Sequence, residues 1–211
     1  MRAQPFLIQL AQHYLPERAA NLAKCAQLKG GWEGWLQVEI ASLFLSNDWM
    51  QGCEREVPYP APPNSDYRYL AYAAGVQNAR QTNDYRSAAR CDFVLERNSK
   101  ERVDSTHFEL KVIRPNTDNP LADAWGRFYA DVDKIMALTK ANPTINGIAL
   151  LATYGTFTQA DMGSEGLQFF WTGNRLSYAW DTKLGTVSRL DQVSMGGDPR
   201  LFVVATSIVL T

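Results

Sequence analysis

Apolar residues recur at helical spacing from Pro5 to about Leu28, with Phe6, Leu7, Leu10, Tyr14, Leu22 and Leu28 on the repeat. Pro16 divides this stretch into two predicted helices. After Gly30 and Gly31, WEGWLQVEIASLFLS predicts a helix from Trp32 to Ser46. CEREVPYP then predicts a short strand, and APPNSD closes it as a loop. DYRYLAYAAGVQNARQTNDYRSA has no clean period and reads either as a strand with an irregular stretch or as a short helix. CDFVL and HFELKVI are strand-like runs around a charged linker, the pattern of a hairpin or a longer turn. RPNTDNP is a turn whose Pro120 opens a helix. Through PLADAWGRFYADVDKIMALTKA, the residues Leu121, Trp125, Phe128, Val132, Ile135, Met136 and Thr139 lie on one stripe, as in a helix laid on a sheet. Asn142 and Pro143 stop that helix, and INGIALLATY is a continuous apolar run, the signature of a strand covered on both faces. Further strands are predicted at LQFFWT, RLSYAW and LFVVATSIVL. The order helix, strand, strand, strand, helix, strand, with more strands at the end, predicts an α/β fold built on a mixed β-sheet flanked by helices.

Composition narrows the class without naming a chemistry. The 211 residues are 45% hydrophobic and 20% charged, an ordinary balance for one globular domain with its own core. Three scattered cysteines, Cys25, Cys53 and Cys91, make neither a disulfide framework nor a metal clip. The apolar run at the N-terminus is short and broken by Gln9 and Gln12, unlike a signal peptide, and no segment approaches the length of a membrane span. A soluble, cytoplasmic protein without membrane partners is expected. The net charge of −1 excludes a uniformly basic coat but not a local groove; from Arg80 to Arg114 there are eight Lys or Arg against six Asp or Glu.

Candidate chemistry enters through the charges in the strands. Residues two apart in a strand face the same way, so His107, Glu109, Lys111 and Ile113 share one face and Phe108, Leu110 and Val112 the other. A carboxylate and an ammonium are thus aimed together from a strand whose opposite face is apolar. A turn centred near position 101 sets Asp92 opposite about position 110, beside both Glu109 and Lys111. A one-residue shift or a bulge decides which face Asp92 takes, and the register stays open. Two converging carboxylates suit a hard divalent cation, Mg²⁺ or Mn²⁺ in its stead, which takes oxygen ligands and keeps several waters. Such an ion polarises a phosphoryl oxygen and lowers the pKa of a bound water. A lysine beside it holds or deprotonates that water and offsets charge on the phosphorus. In the helix WEGWLQVEIASLF, Glu39 falls inside the stripe of Trp32, Trp35, Leu36 and Leu43, where a carboxylate needs a partner or a metal.

Asp92, a spacer of sixteen residues and then Glu109-Leu110-Lys111, preceded by a helix bearing Glu39 and followed by an amphipathic helix and a buried strand, resembles the PD-(D/E)XK nuclease superfamily. The resemblance implies a restriction-endonuclease-like core over about 32–153, with an N-terminal helical extension at 1–31 and a C-terminal β-rich extension at 154–211 of one domain. It further implies that Asp92, Glu109 and the Leu110 carbonyl ligate Mg²⁺, that Lys111 activates the water, and that Glu39 matches the first-helix acid of many members. The implied activity is a metal-dependent nuclease, a DNA endonuclease before an RNA one. Cys91 stands at the position of the name-giving proline, which carries no chemistry. The Gln-x-x-x-Tyr pattern of the exonuclease-like branch is absent; the following helix offers Arg127, Asp131 and Lys134 on its polar face instead.

Each of these residues has a plainer reading. Glu109 and Lys111 also suit a solvated strand face with a cross-strand ion pair, Asp92 a strand-edge carboxylate, and Glu39 a salt bridge in the core. Arg90, His107, Arg127 and Lys134 are candidates for phosphate contact; a packed histidine and surface charges are their alternatives. The tyrosines of DYRYLAY with Arg80, Arg86 and Arg90 suit stacking on nucleic acid or ordinary packing. The C-terminal strands offer an interface for a homodimer or a partner protein. A catalytically inactive module that binds nucleic acid or protein on the same fold is the alternative to the enzyme. Phosphate-loop, dinucleotide, zinc-protease and serine-hydrolase motifs are absent.

Overall fold

A computed structural model describes residues 2–25, 32–46, 50–61, 68–69, 81–82, 89–98, 103–113, 121–143, 145–156, 158, 175–183, 185–194 and 196–208. The N-terminal helices are α1 (Ala3–His13), α2 (Leu15–Cys25) and α3 (Trp32–Leu45). Strands β1 (Met50–Pro58), β2 (Arg68–Tyr69), β3 (Gln81–Thr82), β4 (Arg90–Asn98) and β5 (Val103–Ile113) follow. Helix α4 (Leu121–Ala141) leads to β6 (Asn146–Gly155), β7 (Arg175–Asp181), β8 (Val187–Arg189) and β9 (Arg200–Ile208). Glycines 30 and 31, the turn RPNTDNP, the strand predicted at LQFFWT, and Arg80 and Arg86 lie outside the described residues.

Among the described residues, seven strands form one mixed sheet in the order β1-β4-β5-β6-β9-β7-β8, and β2 pairs with β3 apart from it. Within the sheet β5 and β6 run parallel, joined by α4, while the neighbouring pairs are antiparallel. That geometry follows from chain length: a parallel pair needs a crossover, and α4 supplies it. The protein is therefore α/β, a mixed sheet flanked, among the described residues, by four α-helices. β9 inserts directly beside β6, so the strands beyond position 154 continue the central sheet. The short β8, which no periodicity announces, closes its far edge.

Alternation along the strands sorts the core into two layers. One face carries Phe93, Phe108, Leu110, Ile148, Leu150, Leu201 and Val203 against α1, α2 and α3. Its centre is a run of rings: Phe6 lies 5.3 Å from Phe44 and 4.7 Å from Phe108, and Phe108 stacks at 4.5 Å on Phe93. Pro16 sits in the first turn of α2, where its missing N–H costs nothing, so the break between the helices falls just ahead of it. The buried side of α3 is Trp32, Leu36, Ile40 and Phe44, with Gln37 bonded to Arg55 at 2.9 Å.

The other face is covered by α4, whose Trp125, Phe128, Val132 and Ile135 pack on Ala149 and Leu151 of β6 and on Phe202 and Val204 of β9. Gly147 lets the helix come this close: a Cβ there would stand inside van der Waals contact with Ile135 Cγ2. Gly147 pairs in register with His107 of β5, so the helix is seated next to the strand that bears Glu109 and Lys111. Gly147→Ala is expected to cost about 1–3 kcal/mol by overpacking. Ile135→Ala in the same chain removes the clash, so the two substitutions are expected to combine to less than their sum in urea unfolding.

Candidate active site

The site begins where the hairpin opens. β4 and β5 pair from Asn98↔Val103 to Phe93↔Phe108, and one step further Asp92 comes level with Glu109, one residue from the expected partner. There the ladder gives way to a side chain: the Leu110 N–H donates to Asp92 Oδ2 at 2.5 Å. On the other side of β4, Arg55 pairs with Phe93 and Val57 with Cys91, which leaves Glu56 at the level of Asp92. Glu56 has φ 52°, a left-handed conformation that costs a non-glycine residue strain, and its carbonyl accepts from Arg90 Nη1 at 2.6 Å. Next to Asp92, the Cys91 thiol donates to the Val57 carbonyl at 3.3 Å; burial pushes its pKa up to about 12, so it is a packed thiol rather than a nucleophile.

Glu109 is 5% exposed and sits beneath α4. Its Oε1 lies 2.5 Å from Lys134 Nζ and accepts from the Tyr59 hydroxyl at 2.6 Å. Burial outweighs the pull of Lys134 and carries the carboxyl up to about 7. Two residues along β5, Lys111 pairs with Asp131 of α4 at 3.7 Å. Burial alone would lower the Lys111 pKa, but Asp131, Glu33, Asp92 and Glu109 together raise it, so this ammonium stays charged. Burial raises the Asp131 carboxyl, and its buried Oδ2, ion-paired with Lys111, has no hydrogen-bond partner among the described residues. Strand and helix thus present opposite charges in crossed order, Glu-x-Lys against Asp-x-x-Lys.

The helix acid at this site is Glu33, not Glu39. Glu33, in the first turn of α3, accepts from the Val112 N–H at 3.2 Å, and its raised pKa reflects burial first, with Lys111 and Asp92 among its charged neighbours. Glu39 lies six residues on and instead accepts from the Tyr14 hydroxyl at 3.2 Å; burial first, and then the Glu39 charge, pushes the pKa of that hydroxyl up. It has the partner within the fold that its position demanded, but in the N-terminal helices. The phosphate-contact candidates also separate. Arg127 is exposed on the flank of α4 that bears Asp131 and Lys134. Arg90 is engaged with the Glu56 carbonyl. Lys134 faces Glu109 and donates to the Arg90 carbonyl at 3.3 Å. His107 is 6% exposed and stacks on Tyr59 at 5.3 Å, the packed reading, and burial lowers its pKa to about 4.

Among the described residues no three His, Cys, Asp or Glu side chains come together at metal-ligating spacing. The donors that remain are hard oxygens of the kind Mg²⁺ takes: among the described residues no hydrogen bond engages Asp92 Oδ1 or Glu109 Oε2, and Leu110, which follows Glu109 directly in the chain, adds its carbonyl. They fit a hydrated divalent cation, with water completing the shell. Compared with protein-family models, curated proteins and solved structures, the chain matches none.

Burial moves Glu109 and His107 in opposite directions, and their pH windows overlap. Raised from 4.5 to about 7, Glu109 keeps a proton that the unfolded chain has lost, so its contribution to stability falls as pH rises through that range. Lowered from 6.5 to about 4, His107 contributes fully above 6.5 and less as pH falls toward 4. Glu109→Gln removes the first slope alone. Relative to wild type, the metal-free variant is expected to gain roughly 3 kcal/mol between pH 4.5 and 7, read from urea unfolding at each pH. Parallel curves would contradict the burial of an ionisable carboxyl.

Proposed function

We propose that this chain is a metal-dependent nuclease of the PD-(D/E)XK type that hydrolyses phosphodiester bonds, in DNA before RNA, with Asp92, Glu109, Lys111 and Glu33 at the site. The observation that carries the reading is the hydrogen bond from the Leu110 N–H to Asp92 Oδ2, which ties the first carboxylate to the Glu109-Leu110-Lys111 segment. The element order adds support: a helix, three antiparallel strands, a crossover helix and a strand parallel to the third.

Asp92, Glu109 and the Leu110 carbonyl would hold Mg²⁺ or Mn²⁺. When bound, the ion supplies Lewis acidity toward the phosphoryl oxygen and a more acidic water. Asp92 and Glu109 would fix the position of that charge, and the hydrogen bond from the Leu110 N–H to Asp92 ties the first carboxylate to the segment that bears the second. Lys111, held charged by its carboxylate neighbours, is suited to offset negative charge on the phosphoryl group and a poor choice for removing a proton. Asp131 orients it. Glu33 holds the end of β5 through Val112 and adds a second negative charge beside Lys111.

The test is cleavage of supercoiled and linear DNA by purified protein with Mg²⁺ or Mn²⁺. Glu109→Ala and Lys111→Ala are each expected to lower the rate by at least about 10²-fold. Glu33→Gln is expected to lower it too, whereas Glu39→Gln affects only stability. Folded protein that neither cleaves DNA nor binds Mn²⁺ would leave the alternative, a binding module on the same scaffold. The close Lys134–Glu109 pair, which already balances the charge of one ligand, is the observation that favours that alternative.

A further inference from the structure

The ammonium of Lys134 occupies a place made for a cation. It lies 2.5 Å from Glu109 Oε1, donates to the Arg90 carbonyl at 3.3 Å and stands 5.6 Å from the centroid of the Tyr59 ring. A carboxylate, a carbonyl and an aromatic face converge on it, the first two being hard oxygens of the kind a divalent ion also takes. The carboxylate is the one that the nuclease reading gives to the metal. A second positive charge brought onto Glu109 meets the first at a few ångströms in a half-buried site, where repulsion is weakly screened. Both cannot keep their places on Glu109 without cost.

We propose that Lys134 is the built-in counter-cation of this site: it neutralises Glu109 in the metal-free protein, competes with the divalent ion for that carboxylate, and is released when the ion binds. This rests on the metal-dependent reading above. The lysine has somewhere to go, because it lies on the same flank of α4 as the exposed Arg127, two turns away, and a released ammonium beside Arg127 makes a pair suited to phosphate oxygens. The same side chain would then stabilise the fold without metal and engage substrate with it, coupling metal occupancy to substrate affinity.

The experiment titrates Mn²⁺ into wild type, Lys134→Gln and Lys140→Gln by calorimetry at pH 8.5, where protons compete least for the carboxylates. Lys140 is an exposed lysine at the end of α4 and controls for the lost charge alone. Lys134→Gln is expected to bind Mn²⁺ about tenfold more tightly, and Lys140→Gln within about twofold of wild type. In parallel, the side-chain ammonium resonance of Lys134 in labelled wild type, slowed in exchange by its partners, is expected to be lost to solvent exchange on saturation with Mg²⁺. This second measurement needs no variant to fold. Equal Mn²⁺ affinity in Lys134→Gln and wild type, or a Lys134 resonance unchanged under saturating Mg²⁺, would overturn the inference while leaving the metal site in place. Absence of Mn²⁺ binding in wild type and Lys134→Gln alike would overturn the metal reading itself, and this inference with it.

Discussion

A carboxylate under a helix must find a cation or give up its charge, and the arrangement around β5 follows from how Glu109 meets that demand. Lys134 reaches it from α4 and Tyr59 from the end of β1, so three elements converge on one oxygen. The Lys134 contact forms only if α4 lies close to the sheet. That approach depends on Gly147, where Ile135 occupies the space a side chain would need, and on the apolar stripe that seats the helix over β6 and β9. The second crossed pair, Lys111 with Asp131, uses the same seat one turn earlier along the helix. The polar site and the apolar core are thus one packing solution.

Much of this scaffold was legible in the sequence because its signals are local. The strand-like runs CDFVL and HFELKVI, the apolar stripe of the helix from Leu121 and the continuous apolar run INGIALLATY each carry a signal within their own few residues. Asp92 fell one residue from its expected level because the register depends on a turn whose length the pattern does not set. The two acids of α3 part for a related reason: apolar residues occur on several sides of that helix, and the expected stripe of Trp32, Trp35, Leu36 and Leu43 differs from the buried side, Trp32, Leu36, Ile40 and Phe44. Glu39 lies toward Tyr14, while Glu33 reaches β5. Tyr59 had no signal at all, since its partner is fifty positions away. The Asp-x-x-Lys spacing on α4, set against Glu-x-Lys on β5, is the one pattern that would have joined helix to strand before the structure did.

The electrostatics sort the roles of the charged residues. Carboxylates around Lys111 keep it protonated, which in the proposed nuclease suits it to charge stabilisation, while burial of Glu109 leaves that group poised between charge states near neutrality. His107 goes the other way and remains a neutral, stacked ring under Tyr59. Two lysines and two carboxylates thus meet in a half-buried cluster, Lys111 with Asp131 and Lys134 with Glu109, and it is on this cluster that the proposed metal reading rests.

The most direct test of this account follows the ionisation of Glu109 itself, by the side-chain carboxyl resonance in carbon-13-labelled protein, first without metal and then with saturating Mg²⁺. A midpoint near 7 is expected in the metal-free protein, moving to lower pH when Mg²⁺ is added. A midpoint at the ordinary glutamate value of 4.5, unmoved by Mg²⁺, would contradict both the buried carboxylate and the metal site built on it.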